Sequence, residues 1–230
     1  MTTTQFTTLL FVLLTIVSAG HLSLRMKTST NFLGSADQFA VLAGSAVTSS
    51  GASYVSGSVG VGPGTAITGV IHVSGGSIHA GDSVSQQAEN DLTNGYNALK
   101  GSSGSVNLTG KNLGGMTLAP GVYKFNASGA LSAGTLTLDG QGNSNAQWIF
   151  QFGSTLLTAA NTKVNMTNGG NALNVYWQVG SSATIAAGTT MCGNIIAYAS
   201  ITLNTSVKLH GRALARTGAV TMISSNINKN

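Results

Sequence analysis

Few residues in this 230-residue chain are equipped for covalent or metal chemistry. Its five acids are Asp37, Asp82, Glu89, Asp91 and Asp139. Hydrolysis by general acid and base needs two carboxylates converging on one bond. Only Glu89 and Asp91 are close in sequence, and two positions apart on a helix they do not face each other. They read as solvated surface charge. The histidines, His21, His72, His79 and His210, are scattered, whereas metal ligands come in tight groups. Cys192 has no second cysteine to bridge to and sits in strand-like Thr190-Met191-Cys192-Gly193, where it serves as a small core hydrophobe. Residues 60–64 are glycine-rich, but no Lys-Ser/Thr pair follows to make a phosphate loop. The sequence therefore points away from an enzyme and implies no cofactor and no metal.

What the chain does repeat is short, uncharged side chains. Charged residues make up 7% of it, far below the roughly 25% of ordinary soluble domains. In strands with alternating faces, Thr155, Ser182, Thr184, Ser200, Thr202, Ala219 and Thr221 all point to one side. Ala46 and Thr48 extend that array, as do Gly115 and Thr117. Each threonine offers a hydroxyl that can join a water network and a methyl that confines it, both fixed by a stiff χ1. Water ordered against such a surface costs little further entropy if the scaffold is rigid. Hydration chemistry is what these residues can do.

A scaffold that could align them is visible in residues 145–228. One pattern is written four times there, opening with Trp148-Ile149-Phe150-Gln151, Val175-Tyr176-Trp177-Gln178, Ile195-Ile196-Ala197-Tyr198 and Ala213-Leu214-Ala215-Arg216. An alternating piece, a small turn and a third short piece follow each opening. With Gln151, Gln178, Tyr198 and Arg216 as equivalents, the offsets are 27, 20 and 18 residues. Three strands per imperfect unit mark a solenoid of β-coils. Residues 56–64 are too glycine-rich for regular strand and read as turns and bulges. Residues 82–100 break the pattern: Val84, Ala88, Leu92, Tyr96 and Leu99 form one helical stripe, with Asp82 or Ser83 as cap and Gly101 past the end. The opening strands are apolar on both faces, hence buried on both. One side fills the coil, and Ile149, Tyr176, Ile196 and Leu214 should meet the helix.

The ends and the charge narrow the setting. Residues 7–17 are an apolar run ending in Val17-Ser18-Ala19-Gly20, which reads as a secretory signal over residues 1–19, cleaved near Ala19. The run is too short to span a membrane, which takes about 20 apolar residues. Residues 20–31 form a polar leader, and residues 32–228 a single domain. Export implies an extracellular protein with no membrane attachment after cleavage. The net charge of +5 comes from ten scattered basic residues without interleaved aromatics, so nucleic acid is not an expected partner. A monomer is expected.

Four segments carry a resemblance to a known family. Leu33-Gly34-Ser35-Ala36-Asp37-Gln38-Phe39-Ala40-Val41-Leu42-Ala43, Leu118-Ala119-Pro120-Gly121-Val122-Tyr123-Lys124-Phe125, Trp148-Ile149-Phe150-Gln151 and Gly211-Arg212-Ala213-Leu214-Ala215 resemble the ice-binding (antifreeze) proteins of cold-adapted fungi, microalgae and bacteria. The likeness covers nearly all of residues 32–227 in the same order. It implies a mainly β fold: a right-handed discontinuous β-helix, a solenoid of triangular cross-section, with one long α-helix packed along one face. It also implies adsorption to an ice crystal surface, through ordered water, by one flat face, with inhibition of ice growth and recrystallisation. Ala199-Ser200-Ile201-Thr202 and Ser181-Ser182-Ala183-Thr184 match the family's face pattern loosely, and Thr217-Gly218-Ala219-Val220-Thr221 carries one extra residue, which adds Thr217 to the candidates. The alternative is an extracellular adhesin or a structural matrix β-solenoid, in which Thr/Ser stacks only keep strands in register. Four sequons, at Asn107, Asn126, Asn165 and Asn204, are open to glycosylation in a eukaryotic source, and a glycan on Asn204 would obstruct the face.

Overall fold

The computed structural model describes residues 31–229. The expected signal segment and the leader up to residue 30 lie outside that range. Every strand pairing within it is parallel. Parallel neighbours require a long crossover, and here each crossover is the remainder of one coil. The coils stack into a β-helix.

The stack does not follow chain order. On the seven-stranded sheet, Gly129–Leu131, Leu156–Thr158, Ala183–Ile185, Ile201–Leu203 and Val220–Ile223 succeed one another, and the next strands are Ala46–Ser50 and Ala66–Thr68. The first coil of the chain thus lies against the last. Val41, Leu42 and Ala43 pair with Ala213, Leu214 and Ala215; Thr48 pairs with Thr221; Tyr54 pairs with Asn226. The helix Ser83–Lys100 separates these N-terminal coils in sequence from the coil at the far end, where strand Val106–Asn107 pairs with Gly121–Phe125.

Inside the coils, apolar rungs lie over one another. Phe150 stacks on Trp177 with centroids 4.2 Å apart and planes at 8°, and Phe125 stacks on Phe152 at 4.8 Å. In-register parallel pairing produces this, because equivalent positions sit one strand spacing, about 4.8 Å, apart. The pairing corrects one expected equivalence. Gln178 pairs with Ile196 rather than Tyr198, so that offset is 18 residues, not 20. A slip of two residues leaves every side chain on its expected face, which is why the burial pattern survived the error. Strand Ser58–Val61 is a second correction. It is buried throughout and paired with Phe39–Ala43, not a run of turns. A Cβ on Gly60 would come within 2.5 Å of the Phe39 ring, so glycine there permits close packing.

The helix is capped by Asp82, whose side chain accepts from the Ser85 N–H at 2.8 Å. Ala88, Leu92, Tyr96 and Leu99 bury against Ile149, Tyr176, Ile196, Leu214, Phe39 and Leu42, as the sequence leads one to expect. Val84, read as part of that stripe, is instead exposed, and Ser85 is buried. Asp91 accepts from the Ser35 N–H and hydroxyl at 2.8 and 2.6 Å, which ties the helix to the chain before the first strand.

Glu89 is not the solvated charge expected. It is 8% exposed, and neither carboxylate oxygen has a hydrogen-bond partner among the described residues. Burial pushes its carboxyl from 4.5 to about 8, although the nearby Arg216 pulls the other way. The folded chain therefore keeps this proton between pH 4.5 and 8 while the unfolded chain releases it, so stability falls as pH rises through that window. Glu89→Gln removes this contribution to the slope. The expected outcome is a urea midpoint raised at pH 8 relative to the unsubstituted chain and little changed at pH 4; equal midpoints at pH 8 contradict it.

Candidate functional site

The helix covers one side of the coil, and a second side carries charge. In the strands Lys163–Thr167, Thr190–Ala197 and Lys208–Ala215, Lys163, Thr190 and Lys208 are register neighbours, followed by Asn226, Tyr54 and His72. The seven-stranded sheet differs from both. None of its strands contains Asp, Glu, Lys, Arg or His.

Register builds its outer surface. Val47, Leu156, Ala183, Ile201 and Val220 are buried and Ile67 packs against the same core, so the next residue along each of these strands turns out. Thr184, Thr202, Thr221, Thr48 and Thr68 are successive Cα partners and form one unbroken row of five threonines. With four strand spacings between its ends, the row runs about 19 Å. The residue two positions earlier on each strand forms a second row of Thr155, Ser182, Ser200, Ala219, Ala46 and Ala66, with Ala46 opposite Ala66 in the ladder. It lies one two-residue step, about 6.6 Å, from the first.

Hydrogen bonding distinguishes the rows. The hydroxyls of Thr184, Thr202 and Thr221 have no protein partner among the described residues and are free for water. Thr68 donates to Thr48 at 3.3 Å, within the row. In the second row, Thr155 donates to the Ser128 hydroxyl at 2.7 Å, and the Ser200 hydroxyl accepts from the Ala219 N–H at 3.3 Å. The threonine row is therefore the one that presents unspent hydroxyls, at Thr184, Thr202 and Thr221, with the Thr68–Thr48 pair continuing it.

Most of the residues expected on this face are there: Ala46, Thr48, Thr155, Ser182, Thr184, Ser200, Thr202, Ala219 and Thr221. Gly115 and Thr117 are not. Strand Thr117–Leu118 pairs with Thr135–Asp139, with Thr117 opposite Thr137, and so belongs to the other sheet. At that end of the seven-stranded sheet the neighbour is Asn112, bridged to Ala130. Thr217 lies on the turn before Val220–Ile223, and its hydroxyl is spent on the Tyr198 carbonyl at 2.7 Å. Thr68 was missed. It lies in an Ala-Ile-Thr piece whose alternation was legible, but its place in the stack depends on a pairing made 153 positions away in sequence, through Thr48 and Thr221. Leu157, 46% exposed, ends the row beside Thr184. Asn204 directly follows Ile201–Leu203 at the margin of the sheet.

The other groups capable of chemistry stay apart. His79 Nδ1 lies 2.7 Å from Asp82, His72 stacks on Tyr54 at 4.8 Å, and Cys192 is buried, which pushes its thiol up to about 12. Among the described residues no three of His, Cys, Asp and Glu gather as a metal site would require.

A profile of the family described as ice-binding-like matches residues 41–228. The chain belongs to the ice-binding-like family. An ice-binding protein from Nostoc sp. (strain HG1) is 46% identical over 214 residues, covering 92% of this chain and 79% of that relative. Among solved structures, an ice-binding protein from an Antarctic biological consortium superposes with a TM-score of 0.81 at 44% identity, over 85% of this chain and 89% of its own. The ice-binding protein of the Antarctic ascomycete Antarctomyces psychrotrophicus gives 0.80 at 38%, over 85% and 96%. Both solved ice-binding proteins thus share the β-helix fold of this chain.

The face is decoupled from the core by alternation, and this can be measured. Thr202→Val removes an outward hydroxyl with no protein partner and should leave unfolding free energy within about 0.5 kcal/mol. Ile201→Ala, one position away but fully buried, should cost about 2–5 kcal/mol. Urea unfolding of the two variants checks the expectation; comparable losses would place Thr202 in the core.

Proposed function

We propose that this chain is an antifreeze protein that adsorbs to ice crystals through the seven-stranded face, inhibiting ice growth and recrystallisation. The observation that carries this reading is the uncharged row of Thr68, Thr48, Thr221, Thr202 and Thr184. Rigid coils fix the repeat of the threonine backbone positions along the stack at about 4.8 Å. Water held by the hydroxyls and confined by the methyls is then already ordered before it meets the crystal, so little further entropy is lost on adsorption. No bond is made or broken, and no cofactor or metal takes part. In this reading the chain is exported, its signal removed near Ala19, and acts outside the cell as a monomer, because one chain supplies the whole face. A bound nucleic acid or membrane has no place in it.

Family membership and the geometry of one helix-free, charge-free sheet support this over an adhesin or matrix solenoid. Thermal hysteresis and crystal shaping are the test, with two bulky substitutions compared. Thr202→Tyr stands within the threonine row, between Thr184 and Thr221, and should abolish most of the hysteresis. Thr117→Tyr, on the other sheet, should leave it at the unsubstituted level. If the unsubstituted chain leaves ice growth unaltered, or if both variants lose activity equally while remaining folded, the face is not the ice-binding surface.

A substitution that lengthens the row gives a second check. Leu157→Thr would add a sixth threonine next to Thr184, since Leu157 and Thr184 are Cα partners. The expected outcome is hysteresis above the unsubstituted level at equal protein concentration. A fall would show that Leu157 contributes as it is.

A further inference from the structure

Arg212 and Arg216 stand four positions apart on one stretch and are treated very differently. The Arg212 side chain is fully engaged: it pairs with the Asp37 carboxylate at 2.7 Å and also donates to the Asp37 carbonyl and to Asn194 Oδ1. Arg216 is held by fewer contacts and, among the described residues, by no ion pair. Its Nε donates to Thr93 Oγ1 at 3.2 Å, and its guanidinium carbon lies 4.6 Å from the Tyr96 ring centroid and 5.3 Å from that of Tyr198. Among the described residues no carboxylate lies within ion-pair distance of it, and none hydrogen-bonds its terminal nitrogens. The acid nearest to it in effect, Glu89, keeps its proton to about pH 8 and leaves the arginine charge uncompensated near neutrality. A cation oriented by two rings and a hydroxyl, with its best donors unspent, is poor economy for stability alone.

Those donors border a cavity. It has a volume of about 340 Å³ and lies between the C-terminal half of the helix and the coil edge, with Arg216, Tyr198, Tyr96, Lys100, Asn97 and Gln178 on its walls. Gly153 and Gly180 form part of its floor. A Cβ on Gly180 would come within 2.5 Å of the Gly153 carbonyl oxygen, so the two coils pack too closely there for side chains, and a notch remains beside Tyr198. Gln178 is 2% exposed and hydrogen-bonded with the Tyr96 hydroxyl, a polar group built into the wall. Tyr198 is 48% exposed, and Lys100 is an exposed cation with no ion pair among the described residues.

We propose that this cavity binds the carboxylate-bearing ring of an acidic saccharide, a uronate unit. The terminal nitrogens of Arg216 form charge-assisted hydrogen bonds to the carboxylate, with Lys100 as a second cation. Asn97 supplies a neutral amide for ring hydroxyls, and the exposed Tyr198 ring supplies an apolar surface for the C–H face of the sugar. The size fits one pyranose rather than an extended chain. The site is separate from the threonine row and operates in liquid water, so its failure and the failure of ice adsorption are independent.

The test is a titration of isotopically labelled protein with glucuronate, followed by the backbone amide signals of Gly153 and Gly180. Saturable shifts are expected, with glucose and acetate each binding at least tenfold more weakly. Arg216→Gln should weaken glucuronate binding tenfold or more. Lys100→Gln, at an exposed position without an ion pair among the described residues, should weaken it severalfold, and Lys208→Gln on the other face should have no effect. The proposal is overturned if glucuronate produces no saturable shift, or if Lys100→Gln and Arg216→Gln bind it as the unsubstituted chain does. Equal affinity for glucose removes the role of the cations, and equal affinity for acetate removes the sugar; either result also overturns it.

Discussion

The threonine row is continuous only because residues 39–56 hydrogen-bond to residues 213–228, at the two ends of the described chain. The Gly44 N–H donates to the Ala215 carbonyl at 2.9 Å, the Ser224 N–H to that of Ser50 at 3.0 Å, and the Tyr54 N–H to that of Ser225 at 2.9 Å. Three buried serines reinforce the seam: the Ser49 hydroxyl donates to Ser53 at 2.8 Å, and the Ser53 hydroxyl accepts from the Ser225 N–H at 3.1 Å. Each such bond contributes only about 1 kcal/mol net. Their larger effect is to fix register, since a one-residue slip there would turn Thr48 and Thr68 inward. Without the seam the surface would be two short pieces, Thr184, Thr202 and Thr221 on one and Thr48 and Thr68 on the other.

The same constraint distributes the remaining chemistry. A coil has few sides, and the helix takes one of them with its apolar stripe, which leaves Glu89 buried without a partner. Lys163, Lys208, His72 and His210 fall on strands of the larger sheet. The outer face of the seven-stranded sheet is left with uncharged residues, small ones apart from Leu157, so its hydration is set by hydroxyl and methyl groups on a fixed strand repeat. Scarcity of charge across the whole chain, 7% of residues, is thereby concentrated where it matters to bound water.

Much of this was legible in the sequence. Alternation marked Thr184, Thr202 and Thr221 as outward, and consecutive apolar residues marked Ile149, Tyr176, Ile196 and Leu214 as buried under the helix. These are local patterns, and a period-2 strand survives an error of two residues in alignment, as Tyr198 taken for Ile196 shows. What did not come through was assignment of a strand to a sheet. Thr117 and Thr48 look alike locally, yet one pairs with Thr137 and the other with Thr221. Ser58–Val61 was obscured because its glycines answer to the Phe39 ring, a contact across coils. Glu89 was misplaced because a helical wheel assigns a side but not the width of what covers it. The cavity beside Arg216 needs Gly153, Gly180 and the helix end together, which no single stretch displays.

The central claim, that the two ends of the chain make one ice-adsorbing plane, is tested most directly by partition into slowly grown ice. Fluorescently labelled chain is frozen onto a cold probe from dilute solution, and the fluorescence taken into the ice is compared with that left in the liquid. The account predicts enrichment in the ice for the unsubstituted chain and exclusion for Thr48→Tyr, which lies on the N-terminal side of the seam. Exclusion of the unsubstituted chain, or full uptake of folded Thr48→Tyr, would contradict it.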